Sequence, residues 1–259
     1  MQIIIPLTGN GSRFVNAGYK TLKPFIKVDD LPIIEWVVKL FPNDEDKIIF
    51  ICRDEHLKNL DYTKKELERI APKSQIFAID NWQKNGPVFD VLRASKLIND
   101  NSPCLISYCD FFMHWDYLLF KKHLLENNFD GSIPCYSGFH PHLIHPKNLY
   151  ATCKVDDKNN LIEIREKFSW HKNKFLDSHS AGVYYFKSGK ILKKYCQKLL
   201  DNHDHLNNEY YVSMVFNYLV KDNLKVWCPN IVESFCQWGT PEDLQEYLFW
   251  TKHVKNFKI

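Results

Sequence analysis

Two glycines, a serine and two cations gather just after the first apolar run of the chain. They are Leu7-Thr8-Gly9-Asn10-Gly11-Ser12-Arg13-Phe14, followed by Lys23-Pro24. Glycines so placed let the backbone approach a ligand closely, and their exposed N–H groups can cradle phosphate oxygens. Arg13 and Lys23 add the positive charge a polyphosphate needs. The loop is not a Walker A motif, because no Gly-Lys-Ser/Thr follows. Nor is it G-x-G-x-x-G, because Phe14 stands where the third glycine would be. A plain β-turn with solvated cations would carry the same residues.

A second group is Ser107-Tyr108-Cys109-Asp110, which ends another apolar run, with Asp116 six residues on. A hard cation such as Mg²⁺ takes one such carboxylate together with phosphate oxygens. A turn or helix-capping aspartate is the plainer alternative. In Glu163-Ile164-Arg165-Glu166-Lys167, strand alternation puts Glu163, Arg165 and Lys167 on one face and Glu166 on the other. Asn208-Glu209-Tyr210-Tyr211 reads as a helix start, with Glu209 as a first-turn acid. Gln237-Trp238-Gly239-Thr240-Pro241 reads as a tight turn, with Thr240 as N-cap and Pro241 opening the last helix. Between 136 and 149, His140, His142 and His145 with Pro141 and Pro146 break the regular pattern, and a structural role is the favoured reading there.

The elements that would hold these groups alternate between strand and helix. Gln2–Leu7, Lys47–Cys52, Gln75–Ile79 and Cys104–Tyr108 read as buried parallel strands. Pro32–Phe41, the stretch from Asp54 to Ile70 (N-caps Asp54 and Thr63), Pro87–Ile98 and Asp116–Glu126 read as helices. Gly131–Cys135 follows as a strand. The second half adds a hairpin of Tyr150–Val155 and Leu161–Arg165, a strand His179–Phe186, short strands Lys225–Cys228 and Val232–Cys236, and helices Ser188–Leu200, Glu209–Val220 and Glu242–His253. This predicts an α/β fold: a Rossmann-like, mixed but mainly parallel sheet flanked by helices, with a small antiparallel addition in the second half. It is read as one domain over 1–259, in two halves, 1–135 and 136–259. Ligands of such sheets bind beyond the carboxyl ends of the strands.

Composition excludes several classes. The 259 residues are 45% hydrophobic and 15% aromatic, which excludes a mainly disordered chain. A net charge of +3 gives no argument for a nucleic-acid or membrane surface. Apolar runs fall far short of the roughly 20 residues that span a bilayer. The eight cysteines form no C-x-x-C pair and sit mostly in strand-like stretches, so they read as buried thiols. With no recognisable leader at the first residues, a cytoplasmic protein is expected. A homo-oligomer is left open.

The pattern Ile5-Pro6-Leu7-x-Gly9-x-Gly11-Ser12-Arg13-Phe14, Gly18-Tyr19, Lys23-Pro24-Phe25-Ile26 and Pro32-Ile33-Ile34 resembles the N-terminal signature of nucleoside-diphosphate-sugar pyrophosphorylases. These are nucleotidyltransferases with a glycosyltransferase-A-like fold. Further matches run in family order: Gln83 with Gly86, Asp110, Glu166-Lys167, Gly182-x-Tyr184-x-Phe186, Glu209-x-Tyr211 and Gly239-Thr240-Pro241-Glu242-Asp243-Leu244. Together they span nearly the whole chain.

The resemblance implies transfer of a nucleoside monophosphate from an NTP to a phosphorylated small molecule, with release of pyrophosphate. It implies nucleotide contacts from Leu7, Thr8, Gly9, Asn10, Gly11, Ser12, Gln83, Gly86 and Asp110, with Gln83 and Gly86 at the base. It implies catalytic roles for Arg13, Lys23 and Lys167, and Mg²⁺ on Asp110. Acceptor contacts fall to Glu166, Lys167, Gly182 and Glu209, which makes 1–135 the nucleotide-binding half and 136–259 the acceptor-binding half. The Gly-Ser-Arg-Phe loop looks closest to cytidylyltransferase-like relatives, which points to CTP. The acceptor is a sugar phosphate or a non-sugar phosphate, as in the phosphoglutamine cytidylyltransferases of capsule synthesis.

Two departures bear on this. Gln237 stands where many relatives carry an acid as second metal ligand, and Pro87-Val88-Phe89-Asp90 replaces the usual Gly-Thr-Ala after the base-contacting glycine. A metal-dependent glycosyltransferase of the same fold and a non-catalytic nucleotide-binding homologue are the rival readings.

Overall fold

The computed structural model describes residues 1–58 and 61–256. Its strands are β1 (Gln2–Pro6), β2 (Lys27–Val28), β3 (Leu31–Pro32), β4 (Lys47–Arg53), β5 (Gln75–Ile79), β6 (Cys104–Ser107), β7 (Phe111–His114), β8 (Gly131–Ser132), β9 (Cys135–Tyr136), β10 (Thr152–Val155), β11 (Leu161–Arg165), β12 (Ser178–Ser180), β13 (Val183–Phe186), β14 (Val226–Trp227) and β15 (Ser234–Gln237). Its helices are α1 (Ser12–Asn16), α2 (Ile33–Lys39), α3 (Asp54–Lys58), α4 (Asp61–Ile70), α5 (Pro87–Arg93), α6 (Tyr117–Asn127), α7 (Gly189–Asp201), α8 (Val212–Lys221) and α9 (Pro241–Asn256).

A seven-stranded sheet runs in the order β14-β8-β13-β6-β1-β4-β5. β13 lies antiparallel to both neighbours, and the other pairings are parallel. β1 is buried along its whole length, because helices cover both faces of a parallel sheet; hence its unbroken Ile3-Ile4-Ile5 run. Side chains alternate between the faces. Ile3 and Ile5 join Phe50, Leu105 and Tyr185 on one side, whereas Ile4 joins Ile49, Ile106 and Tyr184 on the other. The expected α/β architecture is present. Its antiparallel part is a four-stranded sheet, β11-β10-β12-β9, with two small ribbons, β7-β15 and β2-β3.

The segment Gly131–Cys135 was expected as one strand and is two. β8 ends the main sheet at Ser132, and β9 enters the antiparallel sheet at Cys135. Pro134 between them has no N–H to give a ladder. His179–Phe186 divides in the same way into β12 and β13, at Ala181-Gly182. Gly182 has φ +75° there, a turn a side-chain-bearing residue resists. Both breaks mark where the chain passes from one sheet to the other.

The helix expected from Glu209 starts at Val212, with Tyr211 as its N-cap position. Asn207 and Asn208 take left-handed backbone before it, so Glu209 is a loop residue rather than a first-turn acid. Thr63 lies inside α4, its hydroxyl buried without a partner, and is not a cap. Among the described residues no helix is long and apolar enough to cross a membrane, and all eight cysteines are free thiols.

Candidate active site

The carboxyl ends of β1 and β6 open onto a cleft of about 240 Å³ whose floor is the loop after β1. Gly11 ends that loop in left-handed backbone (φ +57°) and turns the chain into α1. A Cβ on Gly9 would meet nothing within 4 Å, so Gly9 leaves open room over the loop. Leu7 and Thr8 are buried beneath, while Ser12 and Arg13 lie exposed beyond.

Thr8 is held by a buried polar network. Its carbonyl accepts from Arg53 Nε at 2.6 Å, and its hydroxyl donates to Asp90 Oδ2. A second Arg53 nitrogen donates to Asn10 Oδ1. The Arg53 guanidinium lies 3.6 Å from the centre of the Trp82 ring, and Trp82 Nε1 donates to Asp90 Oδ2 at 3.3 Å. Burial raises the Asp90 carboxyl, against the hydrogen bonds from Thr8 and Trp82 and the charge of Arg53. Sequence reasoning missed Arg53, Trp82 and Asp90. Only the Trp next to Gln83 was a local signal.

Gln83 itself is exposed and lines none of these clefts; Trp82, Lys84 and Gly86 line this one. A tight turn, in which Asn85 N–H reaches the Gln83 carbonyl at 2.8 Å, puts Gln83 outside. Gly86 has a reason to be glycine beyond any ligand. Its φ is +90°, and a Cβ there would fall 2.5 Å from Tyr210 N and 2.8 Å from Tyr210 O. Two backbone hydrogen bonds, Tyr210 N–H to Asn85 O and Val88 N–H to Tyr210 O, fasten the segment 85–88 to the loop carrying Glu209.

Asp110 follows β6 and faces Lys23, whose Nζ donates to Asp110 Oδ2 at 2.6 Å. The β7-β15 ribbon pairs Gln237 with Phe111, and Trp238 N–H donates to the Asp110 carbonyl, so Gln237 and Gly239 return beside Asp110. Asp116 points elsewhere: it caps α6 by accepting from Leu119 N at 2.8 Å. No group of three or more His, Cys, Asp or Glu side chains converges as a metal site among the described residues. Among the described residues this corner offers one carboxylate, Asp110, and one neutral amide, Gln237. That set fits Mg²⁺ provided phosphate oxygens and waters complete its shell, which is how Mg²⁺ is usually held beside nucleotides. It does not fit a self-sufficient protein cage.

An adjoining cleft of about 400 Å³ contains Arg13, Lys23, Glu166, Lys167, Gly182 and Glu209 along its walls. Lys167 has φ +53°, two residues past the end of β11, and its backbone N–H reaches Tyr150 O at 3.0 Å. Glu163 and Arg165 keep the expected shared face, bonded at 2.5 Å, whereas Lys167 leaves it and lines the cleft together with Glu166. Glu166 accepts a hydrogen bond from Ser213 Oγ, and burial raises its pKa against that bond and the charge of Lys167. Glu209 pairs with Lys84 at 2.8 Å and accepts from Tyr211 OH at 2.7 Å. Burial works to raise the Glu209 carboxyl, but these two bonds prevail and hold it below its usual value.

Two of the three histidines of the segment pack inward. His140 and His142 are buried against Tyr136, with His142 Nε2 2.8 Å from Tyr136 OH, and His145 is exposed.

No protein-family model matches the chain. No curated protein matches it either. Solved structures do. A nucleoside-diphosphate-sugar pyrophosphorylase from Vibrio cholerae RC9 superposes with TM-score 0.76 at 17% identity, over 95% of this chain and 99% of that one. A UDP-glucose pyrophosphorylase complexed with UDP-glucose gives 0.75 at 14%, over 98% of each. An inositol-1-phosphate CTP transferase from T. maritima gives 0.71 at 14%, over 99% and 96%. The chain therefore has the fold of the sugar-nucleotide pyrophosphorylases.

Proposed function

We propose that this chain is a cytoplasmic nucleotidyltransferase that joins the nucleoside monophosphate of an NTP to a phosphorylated small molecule. One observation carries the reading. The open glycine loop, Arg13, the Lys23–Asp110 pair and Lys167 converge where the two clefts meet, although they come from four separate stretches of sequence.

An oxygen of the acceptor phosphate attacks the α-phosphorus of the NTP. A new P–O bond forms there, and the bond to the β-phosphate breaks, so the electron pair leaves on pyrophosphate. This chemistry asks the protein for alignment and charge neutralisation rather than a covalent group. The loop Gly9–Ser12 holds the triphosphate. Lys23 neutralises charge near the α-phosphate, Arg13 stabilises the departing pyrophosphate, and Lys167 holds the acceptor phosphate. The base lies over the floor formed by Thr8, Trp82 and Gly86, with Trp82 in the position assigned to Gln83 from sequence. Mg²⁺, held by Asp110 with phosphate oxygens, would supply further charge neutralisation on the triphosphate.

CTP is the favoured donor, from the look of the Gly-Ser-Arg-Phe loop. Solved structures of the same fold include an inositol-1-phosphate CTP transferase as well as a UDP-glucose pyrophosphorylase, so the choice rests on the loop alone. The product is read as an activated precursor for capsule or another surface polysaccharide.

The test is pyrophosphate release with CTP, UTP, ATP, GTP and dTTP in Mg²⁺, against a panel of phosphorylated sugars and small phosphorylated metabolites. Release with one pair, abolished in Asp110→Ala and Lys23→Ala, is expected. Pyrophosphate-free turnover of a nucleotide-sugar would favour a glycosyltransferase instead. Failure of any NTP to bind would overturn the proposal.

A further inference from the structure

A third cleft, polar and about 310 Å³ in volume, shares Lys23, Glu209 and Tyr211 with the two described above. Four cations line it, Arg13, Lys23, Lys84 and Lys167, against one carboxylate among the described residues, Glu209. Lys23 is matched by Asp110 next door at 2.6 Å. A cleft lined by one sign of charge concentrates the opposite ion. Arg13, Lys23 and Lys167 have parts in the reaction proposed above. Lys84 has none, and no motif of the sequence includes it.

Lys84 is held from two sides. Tyr210 N–H to Asn85 O and Val88 N–H to Tyr210 O tie its loop to the loop carrying Glu209. Its side chain is tied as well: Nζ lies 2.8 Å from Glu209 Oε1, and Glu209 Oε2 accepts from Tyr211 OH at 2.7 Å. The charge of Lys167 reaches Glu209 too, after the bonds from Lys84 and Tyr211. An ammonium carries three donors. Glu209 takes one, and with the side chain 68% exposed the other two are left for a ligand on the open side. A lysine fixed in advance also loses less rotamer freedom when an anion binds.

We propose that Lys84 is a catalytic cation that binds the departing β- and γ-phosphates together with Arg13, and that Glu209 is the positioning residue that holds it there. Glu209 thereby acts on the polyphosphate, beyond the acceptor contact that the resemblance implies. The inference rests on the nucleotidyltransferase reading for its leaving group, but its test needs no turnover.

The test titrates the full chain with inorganic pyrophosphate by calorimetry. Lys84→Ala should weaken binding about tenfold, the scale of one charge-assisted hydrogen bond, and Lys84→Arg should restore most of it. Position 84 is exposed, so both variants should melt with wild type. Glu209→Gln is the sharper arm, because charge and position give opposite signs. Removing a carboxylate from an anion cleft tightens pyrophosphate binding if charge alone counts. It weakens binding about threefold if Glu209 holds Lys84 in place, and that weakening should vanish on a Lys84→Ala background. No binding to wild type, unchanged affinity in Lys84→Ala, tighter binding in Glu209→Gln, or a Lys84→Ala loss seen with NTP and not with pyrophosphate would each overturn the inference. The expected losses, with no pair of NTP and acceptor releasing pyrophosphate, would instead overturn the transferase reading and leave the polyphosphate site standing.

Discussion

Lys23 Nζ lies 2.6 Å from Asp110 Oδ2, joining two residues 87 positions apart where the two clefts meet. The pair neutralises both groups in the free protein; in the proposed reaction Lys23 would turn to a phosphate oxygen and Asp110 to a cation. Removing either one exposes the other's charge. Lys23→Ala and Asp110→Asn should each lower kcat/KM at least 100-fold, the usual scale for a positioned charge at a developing anion. Steady-state pyrophosphate release measures this, and activity within threefold of wild type in either variant would remove that residue from the chemistry.

Gly86 lets the segment 85–88 close onto the loop carrying Glu209, where Asn85 and Val88 bond to the Tyr210 backbone. In Gly86→Ala the new methyl would meet Tyr210 backbone and the residue would be held at φ +90°. Strain there should displace Glu209 and raise KM for both substrates together, with a lower melting temperature. An unchanged KM for the acceptor would show that the crossing does not position Glu209.

The Trp82 floor is tested through binding. Trp82→Ala removes the ring on which Arg53 rests and one donor to Asp90. NTP affinity should fall by roughly tenfold, since base–aromatic contacts are worth about 1–3 kcal/mol each. Gln83→Ala, at an exposed position, should change NTP affinity less than twofold. Titration of both variants with CTP distinguishes the two assignments.

Acid stability follows from the buried histidines around Tyr136. Burial lowers His140 and His179 below the usual 6.5 and takes His142 down to about 3, where nearby His140, His179 and Lys174 oppose its charge as well. The unfolded chain therefore takes up protons near pH 6.5 that the folded chain refuses, so this stability is complete above 6.5 and is lost as pH falls. Asp90 and Glu166 act with the opposite sign: their raised pKa values favour the folded chain at low pH and cost stability as pH rises through them. The histidine contribution is isolated by comparing wild type with His142→Asn. The wild-type melting temperature should drop more steeply between pH 6.5 and 5. Parallel curves would show that His142 does not set the acid limit.

The last helix offers a control outside the chemistry of charge. Thr240 Oγ1 accepts from Asp243 N at 3.1 Å as the N-cap of α9. Thr240→Ala should cost about 1 kcal/mol and lower the melting temperature by about 2–4 °C. A larger loss of activity than that shift explains would mean the turn also contacts substrate.

Much of the architecture could be read from local pattern. The continuous apolar letters of β1 and β4 follow from burial on both faces. The Thr240-Pro241 helix start and the Ser188 cap of α7, whose Oγ accepts from Ile191 N at 3.2 Å, use only neighbouring atoms. The glycine loop, Asp110 and the Glu166-Lys167 pair were visible because strand ends are where such sheets open. What the tertiary structure decided are the long-range contacts. Pro134 and Gly182 split single apolar runs between two sheets, and no local pattern says which sheet a residue joins. Gln83 and Trp82 are neighbours, and only the turn at Asn85 settles which faces the cleft. The Lys23–Asp110 and Lys84–Glu209 pairs depend on chain segments far apart in sequence. Sequence fixes side-chain chemistry and local backbone preference, whereas charge balance is a property of what the fold brings within a few ångströms.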